Sequence, residues 1–296
     1  MSEASAVLEA ADLSKIYRDF WGRPRVLALD RLSISVQRGE VFGLLGPNGS
    51  GKTTSAKLFL GLLWPSGGEA RLLGAAPTDV DVKRRVGYLP EESYFYRFLT
   101  ARETVEFYAR LFGMGRRERR QKAAALIETV GLTAAADRKL SEYSKGMLRR
   151  VGLAQALIND PELVILDEPT SGLDPVGTRQ VKDLVLELKA RGSAVVLNSH
   201  LLADMEDICD RVAILHAGKL RRVGRLADLL ERGEVDELTY SGLDPEGARA
   251  VEQEVRRRGG EVIASRHPRR TLEEFFLETI GERSGGAKRP GGDSGE

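Results

Sequence analysis

The chain has 296 residues, with 45 Lys and Arg against 44 Asp and Glu and a formal net charge of +1. That length suits one large domain and a smaller appendage, and so even a charge balance gives no support to a nucleic-acid backbone as partner. The single cysteine, Cys209, excludes an intramolecular disulfide and cannot alone build a structural zinc site, so a reducing cytosolic setting is expected.

In chain order, the start "MSEASAVLEAADLSK" lacks a basic segment followed by an apolar one, and no signal peptide is expected. "EVFGLLG" at 40–46 reads as a strand, and "TSAKLFLGLL" just beyond it as a helix. The run "LFLGLLW" at 58–64 is far short of the roughly 18–20 residues of a membrane-spanning helix. Any membrane role would therefore come through a partner. From about 90 to 160 apolar residues fall mostly at helical spacing, in "ARETVEFYARLFG", "RRERRQKAAALIETVG" and "KGMLRRVGLAQALI", which predicts an inserted helical subdomain. Strands follow at 162–167, 193–199 and 211–218, and strands alternating with helices predict a largely parallel α/β sheet. After about 224 the pattern restarts on a smaller scale. Strands at "DELTYSGL" and "EVIAS" and helices at "EGARAVEQEVRRRG" and "TLEEFFLETI" predict a small α+β appendage, and the Gly-, Ser- and charge-rich end from 284 predicts disorder.

The strongest chemical signal is "GPNGSGKT" at 46–53, which satisfies G-x-x-x-x-G-K-[ST] between a strand and a helix. A phosphate chain needs many donors and little bulk, which glycine-rich backbone and a helix N-terminus supply. Gly46, Asn48, Gly49, Ser50, Gly51, Lys52, Thr53 and Thr54 are the expected phosphate-binding set, with Lys52 reaching the terminal phosphates and Thr53 ligating Mg²⁺. A glycine-rich turn with a solvated lysine is the alternative, and it does not account for both flanks. "LVILDEP" ends an apolar strand in Asp167 and Glu168, at the strand end where ligands bind to parallel sheets. There Asp167 would hold the metal through water, and Glu168 would act as general base or orient the attacking water. Alone, such a strand end is as well read as two solvated acids. Ser144 in "EYSKGMLRRVGLAQAL" stands where an N-cap belongs, which by itself says only that a helix is capped.

In their order, 46–53, then 143–147, then "LVILDEPTSGLDP" at 163–175, then His200, these residues resemble the ATP-binding cassette of ABC transporters, over about 7–220. The resemblance implies a P-loop NTPase core over 1–223, an α/β fold of mainly parallel strands with the helical subdomain at about 92–160; the α+β appendage read from the residue pattern then spans 224–283. It implies ATP and Mg²⁺ as cofactors and an ATPase activity. "YSKGM" stands for the family's LSGGQ signature: Ser144 and Gly146 match, whereas Lys145 and Met147 depart from it. Such "SKGM" forms are similar to those in ATPase subunits of bacterial exporters with separate membrane subunits. Tyr17 matches the aromatic that stacks on adenine, although an ordinary strand tyrosine is the alternative. Ser171 and Asp174 match the loop that communicates across the dimer, and His200 matches the histidine that contacts the γ phosphate. Glu91 follows "YLP" where the family has glutamine, so it keeps an oxygen for the metal and water and loses an amide donor. A side chain pointing to solvent is the other reading of Glu91.

The family's signature closes over the loop of a second cassette, so the resemblance implies a partner: a second ATP-binding subunit, identical or closely related. It further implies an integral membrane permease subunit and a place on the cytoplasmic face of the membrane. Two other functions stay open: regulation of a membrane protein without transport, and a soluble ATPase acting on nucleic acid or ribosomes. Only about 90 residues separate Lys52 from Ser144, which leaves no room for a long coiled coil. Eight of the chain's 18 aromatics lie in 88–112. Phe107 and Phe112, at helical spacing, are expected in the core, and Tyr94, Phe95, Tyr96 and Phe98 on a surface that meets the membrane subunit.

Overall fold

Three segments, "VFGLL", "LVILD" and "AVVLNS", are buried at every position. Unbroken burial is what a parallel strand covered on both faces requires. The computed structural model describes residues 6–230 and 241–262, and the chain divides into two compact units, Met1–Leu230 and Glu231–Glu296. The first unit runs β1 (Ala6–Arg18), β2 (Pro24–Gln37), β3 (Val41–Leu45), α1 (Lys52–Phe59), β4 (Gly67–Leu72), α2 (Val80–Lys83), β5 (Val86–Leu89), α3 (Ala101–Leu111), α4 (Arg116–Thr129) and α5 (Lys145–Ala156). It continues with β6 (Leu163–Asp167), α6 (Pro175–Ala190), β7 (Ala194–Ser199), α7 (Leu202–Glu206), β8 (Arg211–His216), β9 (Lys219–Arg225) and α8 (Leu226–Leu230). In the second unit α9 (Pro245–Arg257) is an amphipathic helix capped by Asp244, whose Oδ1 accepts from Gly247 N at 2.7 Å. The strand expectations at 236–243 and 261–265 fall largely outside the described residues, and the helix at 271–280 and the tail entirely so.

The strands form one nine-stranded sheet in the order β4-β1-β2-β9-β8-β3-β7-β6-β5. β8, β3, β7, β6 and β5 pair in parallel. The other flank was not foreseen: β1 pairs antiparallel with both β2 and β4, and β8 with β9. Alternate strand residues feed two separate cores. Val41, Leu45, Val164, Leu166, Val195 and Leu197 pack with α3 to α6, whereas Phe42, Leu44, Leu163, Ile165, Ala194 and Val196 pack with α1 and the antiparallel flank. At about 25 cal/mol per Å² of apolar surface, this two-sided burial is the main force that fixes strand register. The C-terminal ends of β3, β6 and β7 therefore meet at one rigid edge.

α3, α4 and α5 make up the helical subdomain. α3 opens on a capping box in which Thr100 and Glu103 satisfy each other's backbone amides. Its buried positions are Ala101, Thr104, Val105 and Ala109. Phe107 and Phe112 are 42% and 43% exposed, so the expectation that they fill the core fails: small residues occupy the inward stripe and the aromatics take the flank. No helix among the described residues is long and apolar enough to cross a membrane.

Candidate functional site

The loop 46–53 leaves β3 and turns into α1, whose first residue is Lys52. Gly51 has φ of 106°, and a Cβ there would stand 2.6 Å from the Ala28 carbonyl oxygen, so only glycine lets the loop press on β2. Lys52 is buried, and its Nζ donates to the carbonyls of Gly46 (2.6 Å) and Pro47 (3.3 Å). Its ammonium thus already lies in the loop's concavity, 3.9 Å from Glu168 Oε1. The other Glu168 oxygen, Oε2, stands 2.9 Å from His200 Nδ1, at ion-pair distance though without hydrogen-bond angles. Lys52, at the start of α1, and His200, just after β7, thus converge on the Glu168 carboxylate just after β6.

Asp167 is fully buried at the end of β6. Its Oδ1 accepts a hydrogen bond from Asn198 Nδ2 at 3.1 Å, and its Oδ2 has no partner. A buried carboxylate oxygen left without a donor is costly unless a cation or its water supplies one. Asn198 Nδ2 reaches both Asp167 Oδ1 and the carbonyl of Lys52, the residue before the half-buried Thr53, and the oxygens of Asp167 and Thr53 are donors of the kind that suits a hydrated divalent cation such as Mg²⁺. Burial pushes the Tyr88 phenol up to about 12, and the nearby Asp167 charge adds to that shift. Glu168 has φ of 52°, a left-handed conformation rare for a residue with a side chain, and its N–H donates to the Asn198 carbonyl at 2.8 Å.

Two residues at this edge carry no motif signal. Asn198, a polar residue within the apolar "AVVLNS", is the one a burial pattern could have marked; it also reaches the Lys52 carbonyl at 3.4 Å. Arg149, on α5, donates to the carbonyls of Pro90 (2.5 Å), Glu91 (2.8 Å), Glu168 (2.6 Å) and Asp167.

Other expected residues make no direct hydrogen bond to Lys52, Glu168 or His200. Glu91 is exposed, and its backbone rather than its carboxylate is held. Tyr17 is 39% exposed on β1, with Lys15 Nζ 5.5 Å over its ring, and pairs with Val26 two positions from Ala28. Ser144 caps α5, accepting from Met147 N at 3.2 Å, and Asp174 caps α6, accepting from Gly177 N at 2.8 Å. A Cβ on Gly146 would meet Leu173 at 3.2 Å, so the start of α5 rests on the 171–174 loop. Ser144, Gly146 and Asp174 make no hydrogen bond or ion pair to Lys52, Glu168 or His200.

Of the aromatic stretch, Tyr94, Tyr96 and Phe98 are 85%, 60% and 69% exposed, while Phe95 packs against the helical core, contrary to expectation. Tyr96 meets Phe98 at a tilt of 41° (centroids 5.7 Å apart) and Phe107 edge-on (6.4 Å).

Comparison with known proteins agrees with this geometry. The family model described as "ABC transporter" matches residues 29–171. An uncharacterized ABC transporter ATP-binding protein of Synechocystis sp. is 52% identical over 243 residues, covering 81% of this chain and 69% of that protein. A fluoroquinolones export ATP-binding protein of Mycobacterium tuberculosis is 38% identical over 276 residues, 86% of this chain and 88% of its own length. Among solved structures, a dimeric ATP-binding cassette in a post-hydrolysis state with ADP and Pi superposes with a TM-score of 0.68 at 26% identity, covering 74% of this chain and 98% of that one.

Proposed function

We propose that this chain, which belongs to the ABC transporter family as an ATP-binding subunit, powers export of a cargo through a separate integral membrane subunit. It binds ATP and hydrolyses it to ADP and phosphate. The observation that carries the residue roles is the convergence of Lys52 (3.9 Å) and His200 (2.9 Å) on the two oxygens of Glu168. An ammonium and an imidazole around one buried carboxylate are suited to bind a terminal phosphate beside a base.

In the proposed mechanism the backbone amides of 46–53 and Lys52 Nζ hold the phosphates, and Tyr17 stacks on adenine. Glu168 takes the proton from a water as its oxygen attacks the γ phosphorus and the bond to the β-phosphate oxygen breaks. His200 contacts the γ phosphate and steadies the charge that develops there. Thr53 and Asp167 would hold Mg²⁺, with Glu91 contributing an oxygen, and the ion would neutralise charge on the bridging oxygens. Ser144 and Gly146 make no hydrogen bond to the chain's own Lys52, which supports a working dimer in which each α5 N-terminus meets the partner's nucleotide and Asp174 lies at the seam.

Export is favoured by the likeness to the fluoroquinolones export protein. The exposed Tyr94, Tyr96, Phe98 and Phe107 form the surface for the membrane subunit, since clustered aromatics are the usual anchors of interfaces. The chain then works on the cytoplasmic face of the membrane. Purification from membranes in mild detergent tests this reading: an integral membrane protein should co-purify, and Tyr94→Ser with Tyr96→Ser and Phe98→Ser should release the chain with ATP binding intact. Membrane association that survives the triple change would refute the docking surface.

A further inference from the structure

Arg149 is 6% exposed, and all four of its hydrogen bonds go to backbone carbonyl oxygens rather than to a carboxylate. Burial pulls its pKa down, while the charges of Asp167, Glu168 and Glu91 hold it up. A buried cation placed on neutral acceptors does little for stability that an apolar side chain would not do better. What it supplies is geometry, because the guanidinium carries five donors in a fixed plane, whereas lysine offers one compact point.

The acceptors lie just beyond the paired ends of two neighbouring parallel strands, where Leu89 of β5 is in register with Leu166 of β6. Pro90 and Glu91 follow β5, and Asp167 and Glu168 close β6. Glu168 is the residue with the left-handed backbone, so the bond from Arg149 to its carbonyl fixes the peptide that aims its carboxylate. One turn further along α5, a Cβ on Gly152 would lie 2.6 Å from Leu89 Cδ1 and 3.1 Å from Ser93 Oγ. The segment after β5 therefore lies flush on α5, held by Arg149 above and by the missing side chain below. α5 is the same helix whose N-terminus carries Ser144.

We propose that Arg149 is a positioning residue that ties Glu168 and the backbone of Glu91 to α5, so that the water-activating acid of one nucleotide site moves with the helix that reads the other. The proposal rests on the reading of Glu168 as the group that activates water. Its consequence is a mechanical link between the two sites of the pair: seating of α5 on the partner's nucleotide sets the carboxylate of its own site. Arg149 is engaged by backbone carbonyls and stands outside the phosphate-binding loop 46–53, so binding of ATP does not depend on it, and hydrolysis does.

The test is steady-state and single-turnover ATP hydrolysis by the full chain carrying Arg149→Lys or Arg149→Gln, with ATP-driven dimerisation read in an added Glu168→Gln background. Misplacing the carboxylate should lower kcat by about 100-fold in either variant. KM should stay within about threefold and the ATP-driven dimer should persist, because binding groups are untouched. Unchanged wild-type turnover in the same assay keeps the ATPase assignment separate from this one. A kcat within about threefold of wild type in the lysine variant overturns the proposal. So does a parallel loss of ATP binding and dimerisation in the lysine variant with its fold intact by circular dichroism, since that would mark Arg149 as general scaffolding. Should the glutamine variant fail to fold, the lysine variant, which keeps charge and most of the volume, decides alone.

Discussion

At the start of β6, Glu162 accepts hydrogen bonds from Arg85 at 2.5 Å and from Arg38. Nearby, before β3, Glu40 accepts from Arg211 (3.0 Å) and from the Gln37 amide (2.6 Å). At the other end of β6, Asp167 and Glu168 are 0% and 5% exposed, and each keeps one oxygen without a hydrogen bond. β6 thus has a satisfied acid where it begins, as β3 does, and under-satisfied acids where it ends. A carboxylate saturated by arginine has nothing left to offer a ligand, whereas a buried oxygen held without a donor is poised for a cation or a water. The difference separates the acids that hold the sheet together from those that do chemistry, although sequence composition treats them alike.

Several substitutions sharpen that contrast, beginning with the largest effect. Glu168→Gln keeps shape and removes the base, so kcat should fall by about 10²–10⁴-fold with the melting temperature nearly unchanged. Calorimetry beside a phosphate-release assay reads both, and a kcat near wild type would move the chemistry elsewhere. Asn198→Ala strips Asp167 Oδ1 of its donor inside the core and should cost about 1–3 kcal/mol of stability, measured by urea unfolding. A change under about 0.5 kcal/mol would mean that water replaces the amide without loss.

The smallest effect belongs to the other end of the strand. The Arg85 hydrogen bond, followed by that of Arg38, pulls the Glu162 carboxyl from 4.5 down to about 2. A folded-state pKa below the unfolded one contributes stability that is present above pH 4.5 and is lost as pH falls toward about 2. Both arginines are about half exposed, so solvent screening should hold the Glu162→Gln effect to about 1 kcal/mol or less at pH 7. The variant should unfold in acid with a shallower pH dependence between 4.5 and 2 while hydrolysing ATP like the wild type. An ATPase defect in Glu162→Gln would blur the division between the two ends.

The parallel half of this architecture was legible because continuous apolar runs leave strands 40–46, 162–167, 193–199 and 211–218 few other places to go. The loop 46–53 and the Ser144 cap were legible because their chemistry is local. β1 and β2 were not, since their pairing shifts register at several points and their burial does not alternate cleanly. The first helix was read too long: α1 ends at Phe59, and Gly61, with φ of 62°, carries the turn that follows. Phe107 and Phe112 were misplaced because helical spacing gives a face and not its direction. Arg149 was invisible, because a residue that binds only backbone carbonyls distant in sequence leaves no pattern of side chains to read.

Sedimentation velocity on the Glu168→Gln chain, with and without ATP and Mg²⁺, tests the account most directly. A nucleotide sandwiched between two copies that cannot hydrolyse it predicts a monomer without ATP and a dimer with it, reversed when Ser144→Arg blocks the end of α5. A chain that binds ATP under those conditions and stays monomeric would contradict the account.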